Sequence, residues 1–253
     1  MNGFWFAILL TTLAGLSTSL GALISLLIRA PGGLFMSLAL GFSAGVMVLV
    51  SFVELLPQGV NGIGFLWAHA AFFGGMLAAY GIDVLVPHSF GAEEQEGLHP
   101  HDKKLLRTGL FVALGLGIHN FPEGMATFVS TLANPKLGLA LAVAIAIHNV
   151  PEGIAVAAPV YAATKSHAKA FVWSSLSGLA EPIGALLAAA VLLPFLNATV
   201  LAIVLAVVAG IMVYIALDEL LPASREYGRE HLSILGVLAG MVIMAASLQL
   251  LRS

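Results

Sequence analysis

Residues 182–217 read PIGALLAAAVLLPFLNATVLAIVLAVVAGIMVYIAL, and none of them is charged. A helix crossing a bilayer needs about 20 consecutive, mostly apolar residues, so this stretch holds at least one span. The same pattern fills the N-terminal part of the chain. No charge occurs before Arg29, none between Arg29 and Glu54, and none between Glu54 and Asp83. Over all 253 residues, 60% are hydrophobic and only 9% charged, with a mean hydropathy of +1.02. A soluble domain carries about 25% charged residues to cover its surface. The composition therefore excludes an ordinary soluble domain and indicates a membrane protein.

Working outward from that stretch gives an all-α polytopic membrane protein with eight transmembrane helices, expected at 4–28, 34–56, 65–87, 107–130, 137–159, 168–193, 199–221 and 233–250. The whole chain, 1–253, reads as one transmembrane domain. Its single sizeable polar segment is a loop at 88–106, between the third and fourth spans. The breaks fall at Pro31-Gly32-Gly33, from Pro57 to Gly64, at Asn134-Pro135-Lys136, around Lys165, from Pro194 to Asn197, and in the charged run 222–231. The first span lacks the basic residue that opens a secretory signal, and its apolar run is too long for one, so it reads as a retained helix.

Loop charges orient the bundle. With the N-terminus outside, Arg29, Lys103, Lys104, Arg107, Lys165, Lys169, Arg225 and Arg229 face inward, and only Lys136 and Arg252 face outward. Cytoplasmic loops carry the excess of Lys and Arg, so the loop 88–106 is expected in the cytoplasm and both termini outside. The ten basic residues are scattered through short loops, which argues against nucleic acid as a partner. No cysteine is present, so disulfides and thiolate metal ligands are excluded.

Two internal similarities carry the functional reading. His119-Asn120-Phe121-Pro122-Glu123-Gly124 in span four recurs as His148-Asn149-Val150-Pro151-Glu152-Gly153 in span five. Glu54-Leu55-Leu56-Pro57 recurs as Glu219-Leu220-Leu221-Pro222, at the ends of spans two and seven. Those two ends lie on opposite sides of the membrane. An inverted repeat of helices 1–3 and 6–8 around a central pair, a 3+2+3 arrangement, follows, and secondary transporters are often built that way.

His119 and Glu123 are four residues apart and share a helix face; His148 and Glu152 do the same. The short connection from Thr131 to Lys136 makes spans four and five antiparallel neighbours. Glu181, followed by Pro182, adds a carboxylate from span six. A charge at the bilayer centre costs at least about 2.5–3.5 kcal/mol. Protons or divalent cations would remove that cost, and the adjacent imidazoles favour the cation. Imidazole and carboxylate suit zinc, and the same nitrogen and oxygen set admits iron, cobalt, nickel or manganese. Two ions sharing Glu123 and Glu152 fit the inventory. Asn120 and Asn149 either supply amide oxygens to the metal or bond across helices, and Glu181 is either a ligand or a polar helix contact. Pro122, Pro151 and Pro182 each deprive the carbonyl four residues earlier of its helical donor, and freed backbone at this depth is expected to line a pathway.

Other polar residues read less sharply. Glu54, Asp218 and Glu219, near span ends, are expected to be solvated at the interface, and Asp83 reads equally as pathway or packing. Met47 and Met125 read mainly as packing. In the loop 88–106, His88, His99, His101, Glu93, Glu94, Glu96 and Asp102 form either a metal-collecting cluster or a hydrated connector.

These motifs, with Ser177-Gly178-Leu179-Ala180-Glu181-Pro182, resemble the ZIP family of divalent metal transporters over essentially the full chain. The resemblance implies eight helices in a bacterial cell inner membrane, with both termini periplasmic. It also implies uptake of zinc, with iron, manganese, cobalt and cadmium as further cargo. The binuclear site it implies is held by Glu123, His148, Glu152 and His119 around one metal, and by Asn120, Glu123, Asn149, Glu152 and Glu181 around the other. The metals are then substrates and no resident cofactor is expected. Family members are often dimeric, and the sequence leaves a homodimer open. A membrane-embedded metallohydrolase is the competing reading, but the HExxH pattern is absent. A metal sensor without flux is a third.

Overall fold

The computed structural model describes residues 3–27, 32–85, 100–195 and 197–252; within these, the side chains of 100–105, 107–109, 111, 119, 251 and 252 lie outside the description. The expected clusters at Arg29 and at His88, Glu93, Glu94, Glu96, His99, His101 and Asp102 therefore fall outside the described residues or side chains, as does the imidazole of His119.

Eight long helical segments make up the described chain: α1 (Gly3–Leu27), α2 (Gly33–Ile63), α3 (Phe65–Leu85), α4 (Pro100–Ala133), α5 (Pro135–Thr164), α6 (His167–Val191), α7 (Ala198–Arg225) and α8 (Glu230–Arg252). Seven of them are long and apolar enough to cross a membrane. The remaining one, α4, has 34 residues, about 51 Å at the helical rise. The chain is an all-α polytopic membrane protein.

Local chemistry sets the helix ends. Asn134 caps α5, its Oδ1 accepting from the backbone N–H of Lys136 at 3.0 Å and of Leu137 at 3.4 Å, while Pro135 takes the first helical position, where its missing N–H costs nothing. Ser166 Oγ accepts from Lys169 N–H at the start of α6, and Asn197 Oδ1 from Val200 N–H at the start of α7. Side-chain oxygens at the N-cap supply partners that the first helical turn lacks.

Several boundaries differ from expectation. Helix α4 starts at Pro100 rather than 107. Pro57 and Pro222 do not end their helices. Each follows one wide turn, Ser51–Leu55 in α2 and Ala216–Leu220 in α7, in which the N–H of Leu56 reaches back to Ser51 O and that of Leu221 to Ala216 O. This five-residue step absorbs the missing donor of the proline, and the helix resumes beyond it. The two Glu-Leu-Leu-Pro segments thus share one backbone device. Likewise α4 and α5 run on through Pro122, Pro151 and Pro159, so the carbonyl defects there do not unwind the helix. Among the described residues, α6 alone is interrupted, by a turn at Leu179 between Gly178 and Ala180.

The helices gather in two sets. Helices α1, α4, α5 and α6 pack on one another, while α2 packs on α8 and α7, and α3 on α7; α2 also leans on α5. Glycines set the spacing. A Cβ on Gly153 would lie 1.9 Å from Thr18 O, and one on Gly124 would lie 2.0 Å from Glu181 O, so α1 meets α5, and α4 meets α6, backbone to backbone. Close approach over small residues is the usual way for helices to associate in lipid, where apolar burial offers little drive. The large apolar side chains instead face outward, among them Leu9, Leu13, Leu16 and Leu20 on α1 and Leu77 and Tyr80 on α3.

The first turn of α1 and the last turns of α8 lie at one end of the bundle. Phe4 stacks edge-on against Phe128 near the end of α4, and Leu248 of α8 lines a cavity with Asn134 and Lys136 of the α4–α5 connection.

Candidate metal site

Helices α4, α5 and α6 carry the repeated motifs to a common point. Asn120, Glu123, His148, Asn149, Glu152 and Glu181 are all without solvent exposure (0%). His148 Nε2 lies 3.2 Å from Glu123 Oε2, linking α4 to α5. Asn149 Nδ2 donates to Glu181 Oε1, linking α5 to α6, and also to Ala14 O of α1 at 3.0 Å. Asn120 Nδ2 donates to Ser177 O of α6 at 3.2 Å. Every partner of the two amide nitrogens is a carbonyl or carboxylate oxygen. Such oxygens only accept, so the amide groups are oriented with NH2 toward the helices and Oδ1 away from them.

The consequence is a set of acceptors without donors. Asn120 Oδ1, Asn149 Oδ1, Glu123 Oε1 and Glu181 Oε2 are all buried and have no hydrogen-bond partner among the described residues. A buried acceptor left unsatisfied costs about 1–3 kcal/mol, and native interiors hold few of them. Four at one place, two of them on carboxylates, call for a cation. Among the described residues no three His, Asp or Glu side chains converge as a ready-made cage; what the structure brings together is pairs of charged or imidazole groups with amide oxygens beside them. The side chain of His119 is not described, and its backbone lies on α4, one turn before Glu123.

Some contacts to these groups were not legible in the sequence. Ser43 of α2 donates to Glu152 Oε1 at 3.0 Å, bringing a fifth helix to the site. Ser174 of α6 donates to Gly153 O at 3.1 Å. Serine is common in apolar helices and carries no periodic signature here, and the Ala14 carbonyl has no side-chain signal at all.

The outlying acids divide. Glu54 is buried (6% exposed), not solvated as expected, and accepts from Gln58 Nε2 at 3.3 Å. Asp218 is exposed, as expected, and accepts from the Tyr214 hydroxyl at 3.1 Å. Asp83 and Glu219 line a cavity between α3, α4 and α7. His69 bonds the Phe65 carbonyl, and His167 stacks on Tyr161; neither reaches the site residues.

A bundle of apolar helices enclosing buried carboxylates, an imidazole and amide oxygens has the chemistry of an intramembrane cation-handling protein. Comparison with known proteins makes the class specific: the ZIP zinc transporter family pattern matches residues 91–248, and the chain belongs to that family. It is 55% identical to the zinc transporter ZupT of Chlorobium phaeovibrioides over 99% of this chain and 100% of that protein. It is also 50% identical to the zinc transporter ZupT of Oceanobacillus iheyensis (99% and 100%) and 48% identical to that of Campylobacter jejuni (98% and 97%). Membership in a transporter family sets aside the membrane-embedded hydrolase that the ligand types alone leave open.

Proposed function

We propose that this protein carries zinc, and with it other divalent transition-metal cations such as iron, manganese, cobalt and cadmium, from the periplasm to the cytoplasm across a bacterial inner membrane. The observation that carries the reading is the set of acceptors on Asn120, Asn149, Glu123 and Glu181 that have no donor among the described residues, at the crossing of three helices. The zinc transporters that align along the full chain support the choice of cargo.

In this reading His119, Asn120, Glu123, His148, Asn149, Glu152 and Glu181 hold a binuclear substrate site. Glu123 and Glu152 bridge the two ions, the imidazoles serve one of them, and the amide oxygens and Glu181 serve the other. A cation binding between His148 and Glu123 replaces their mutual contact, and the pair of motifs on antiparallel helices presents near-equivalent ligands from both sides. Ser43 and the Ala14 and Ser177 carbonyls hold Glu152 and the two amides in place.

The inverted 3+2+3 repeat is supported by matching packing. Exchanging helices 1–3 with 6–8 and α4 with α5 turns the α1–α5 contact into α6–α4 and the α2–α8 contact into α7–α3, all of which occur. It also superposes the roles of Gly153 and Gly124, and those of the two wide turns. Lys136 on the outer connection, against Lys165, Lys169, Arg225 and Arg229 at the other end, supports termini on the periplasmic side.

An interior-negative potential favours inward movement of a divalent ion by about 4.6 kcal/mol per 100 mV, twice the single-charge value. The deciding experiment is radioactive zinc uptake into proteoliposomes. The parent protein accumulates metal and Glu123→Ala does not; a folded E123A protein with parental flux would refute the role of that carboxylate.

A further inference from the structure

Helix α3 packs against α7 and the end of α2 rather than against α4 or α6. The space left between α3, α4 and α6 is a groove of about 770 Å³ with mostly apolar walls, among them Ile82, Leu110, Gly117 and Trp173. It opens on the lipid-facing surface, where Ile82, Trp173 and Leu176 are exposed, and it ends at Phe121 and Pro122 of the first repeated motif. From Leu110 to Pro122 the groove follows about 18 Å of α4. Half of a hydrocarbon core about 30 Å thick is about 15 Å, the depth that one acyl chain covers in its own leaflet. The groove thus has the length of a lipid tail. An apolar hollow left empty would forfeit the dispersion contacts of its walls.

Positive charge lies at the mouth. Lys169, in the first turn of α6, is exposed. Positions 169, 173 and 176 share one helix face, so Lys169 stands one turn from Trp173 on the groove side. The positive end of the α6 dipole is at the same place. On α4, Lys103 and Arg107 precede Leu110, Leu114 and Gly117 at helical spacing in the sequence. No Asp or Glu lines the groove, and Asp83 lines the neighbouring cavity on the α7 side. Lysine lays its stem on apolar surface and keeps its head at the level of the phosphates, and basic sites between spanning helices hold anionic headgroups.

We propose that this groove binds an anionic phospholipid, with the headgroup phosphate on Lys169 and one acyl chain laid between α3, α4 and α6 as far as Phe121 and Pro122. The proposed orientation puts it in the cytoplasmic leaflet. The tail takes the place of a packing helix along the face of α4 that α3 leaves bare, and so buttresses the helix that carries Asn120 and Glu123. The site is separate from the metal ligands and does not depend on the transport reading.

The chain has three tryptophans, Trp5, Trp67 and Trp173, so Trp5→Phe with Trp67→Phe leaves Trp173 as the sole indole. The full-length protein is reconstituted in phosphatidylcholine vesicles, and Trp173 fluorescence is measured as phosphatidylglycerol or phosphatidylcholine with brominated acyl chains replaces a fixed share of the lipid. The brominated anionic lipid should show about fivefold higher relative affinity, one lysine contact's worth. Lys169→Gln, at an exposed position, should bring the two lipids to parity. Gly117→Leu, where an added Cβ meets only Ser177 Cα at 3.9 Å, fills the groove and should weaken quenching by both lipids. Phosphatidylglycerol should also raise the unfolding temperature of the parent and not of K169Q. Equal quenching by the two lipids in the parent would overturn the site, as would a preference that survives K169Q; this arm decides even if G117L does not fold. Unchanged quenching in folded G117L would place the tail elsewhere and overturn the groove. Brominated stearate quenching as strongly as the anionic phospholipid would replace it by a free fatty acid. Quenching that fades as the protein-to-lipid ratio rises would put a second copy of the chain on this face, and either result overturns the proposal.

Discussion

Glu123 Oε2 and His148 Nε2 stand 3.2 Å apart with neither side chain reaching solvent, so a buried contact ties the two repeated motifs together. It also leaves Glu123 Oε1 without a donor among the described residues. Stability and function therefore separate at this residue. Replacing one partner of a buried hydrogen bond costs about 1–3 kcal/mol. Glu123→Ala is expected to lower the thermal unfolding temperature in detergent, and Glu123→Gln, which still offers an acceptor to His148, to lower it less. Both should lose zinc binding, since an amide cannot bridge two cations as a carboxylate does. Retention of zinc by E123Q at parental affinity would contradict the bridging role.

Ser43 provides a subtler probe. Its hydroxyl holds one oxygen of Glu152 from a helix that carries none of the proposed ligands. Loss of such an outer hydrogen bond typically weakens metal affinity by about 10–100-fold. Ser43→Ala should fall in that range by equilibrium dialysis with the fold intact, and Ser43→Thr should be milder. No change in affinity in S43A would mean that Glu152 is held adequately by other contacts.

Glycines at the helix crossings should tolerate nothing larger. Gly124→Ala and Gly153→Ala each press a methyl into a backbone carbonyl of the facing helix, and neither neighbour can yield as a side-chain tip would. Overpacking of this kind costs about 1–3 kcal/mol or more. Gly74→Ala on α3, where nothing lies within 4 Å of the added carbon, serves as the control and should match the parent in unfolding temperature and zinc uptake.

The absence of cysteine from the sequence makes the sidedness directly measurable. Lys136→Cys in the first turn of α5 and Lys165→Cys at its end should react with a membrane-impermeant thiol reagent from opposite faces of the membrane. In intact bacterial spheroplasts only K136C should label. Labelling of K165C instead would reverse the orientation and, with it, the assigned direction of uptake.

Much of this was legible before any coordinates. Stretches without charge placed the helices, because lipid tolerates so few ionised groups, and the spacing of His, Asn and Glu put those residues on facing turns of α4 and α5, where His148 meets Glu123. The prolines misled. Pro57 and Pro222 read as helix ends because a missing N–H is visible in sequence while the wide turn that accommodates it is not. Glu54 read as solvated because nearness to a span end says nothing about the walls of a chamber built from α2, α5 and α8. Ser43 and the Ala14 carbonyl were silent for a simpler reason: their partners are more than a hundred residues away in the chain.

The wide turn at Ser51–Leu55 amounts to one extra residue inserted in an otherwise regular rod. Deleting any one of those five positions would make the wide turn an ordinary one and leave the helix beyond it on nearly its present face, because the extra residue is what the wide turn absorbs. Gly59 and Gly62, seated against Ala206 and Ala202, would stay on α7. Deletion of Phe73 in the regular helix α3 would instead spin everything distal to it by about 100° and put a bulkier neighbour where Gly75 meets the Val207 carbonyl of α7. A single-codon deletion in the wide turn should therefore be far better tolerated, although both remove the same amount of chain.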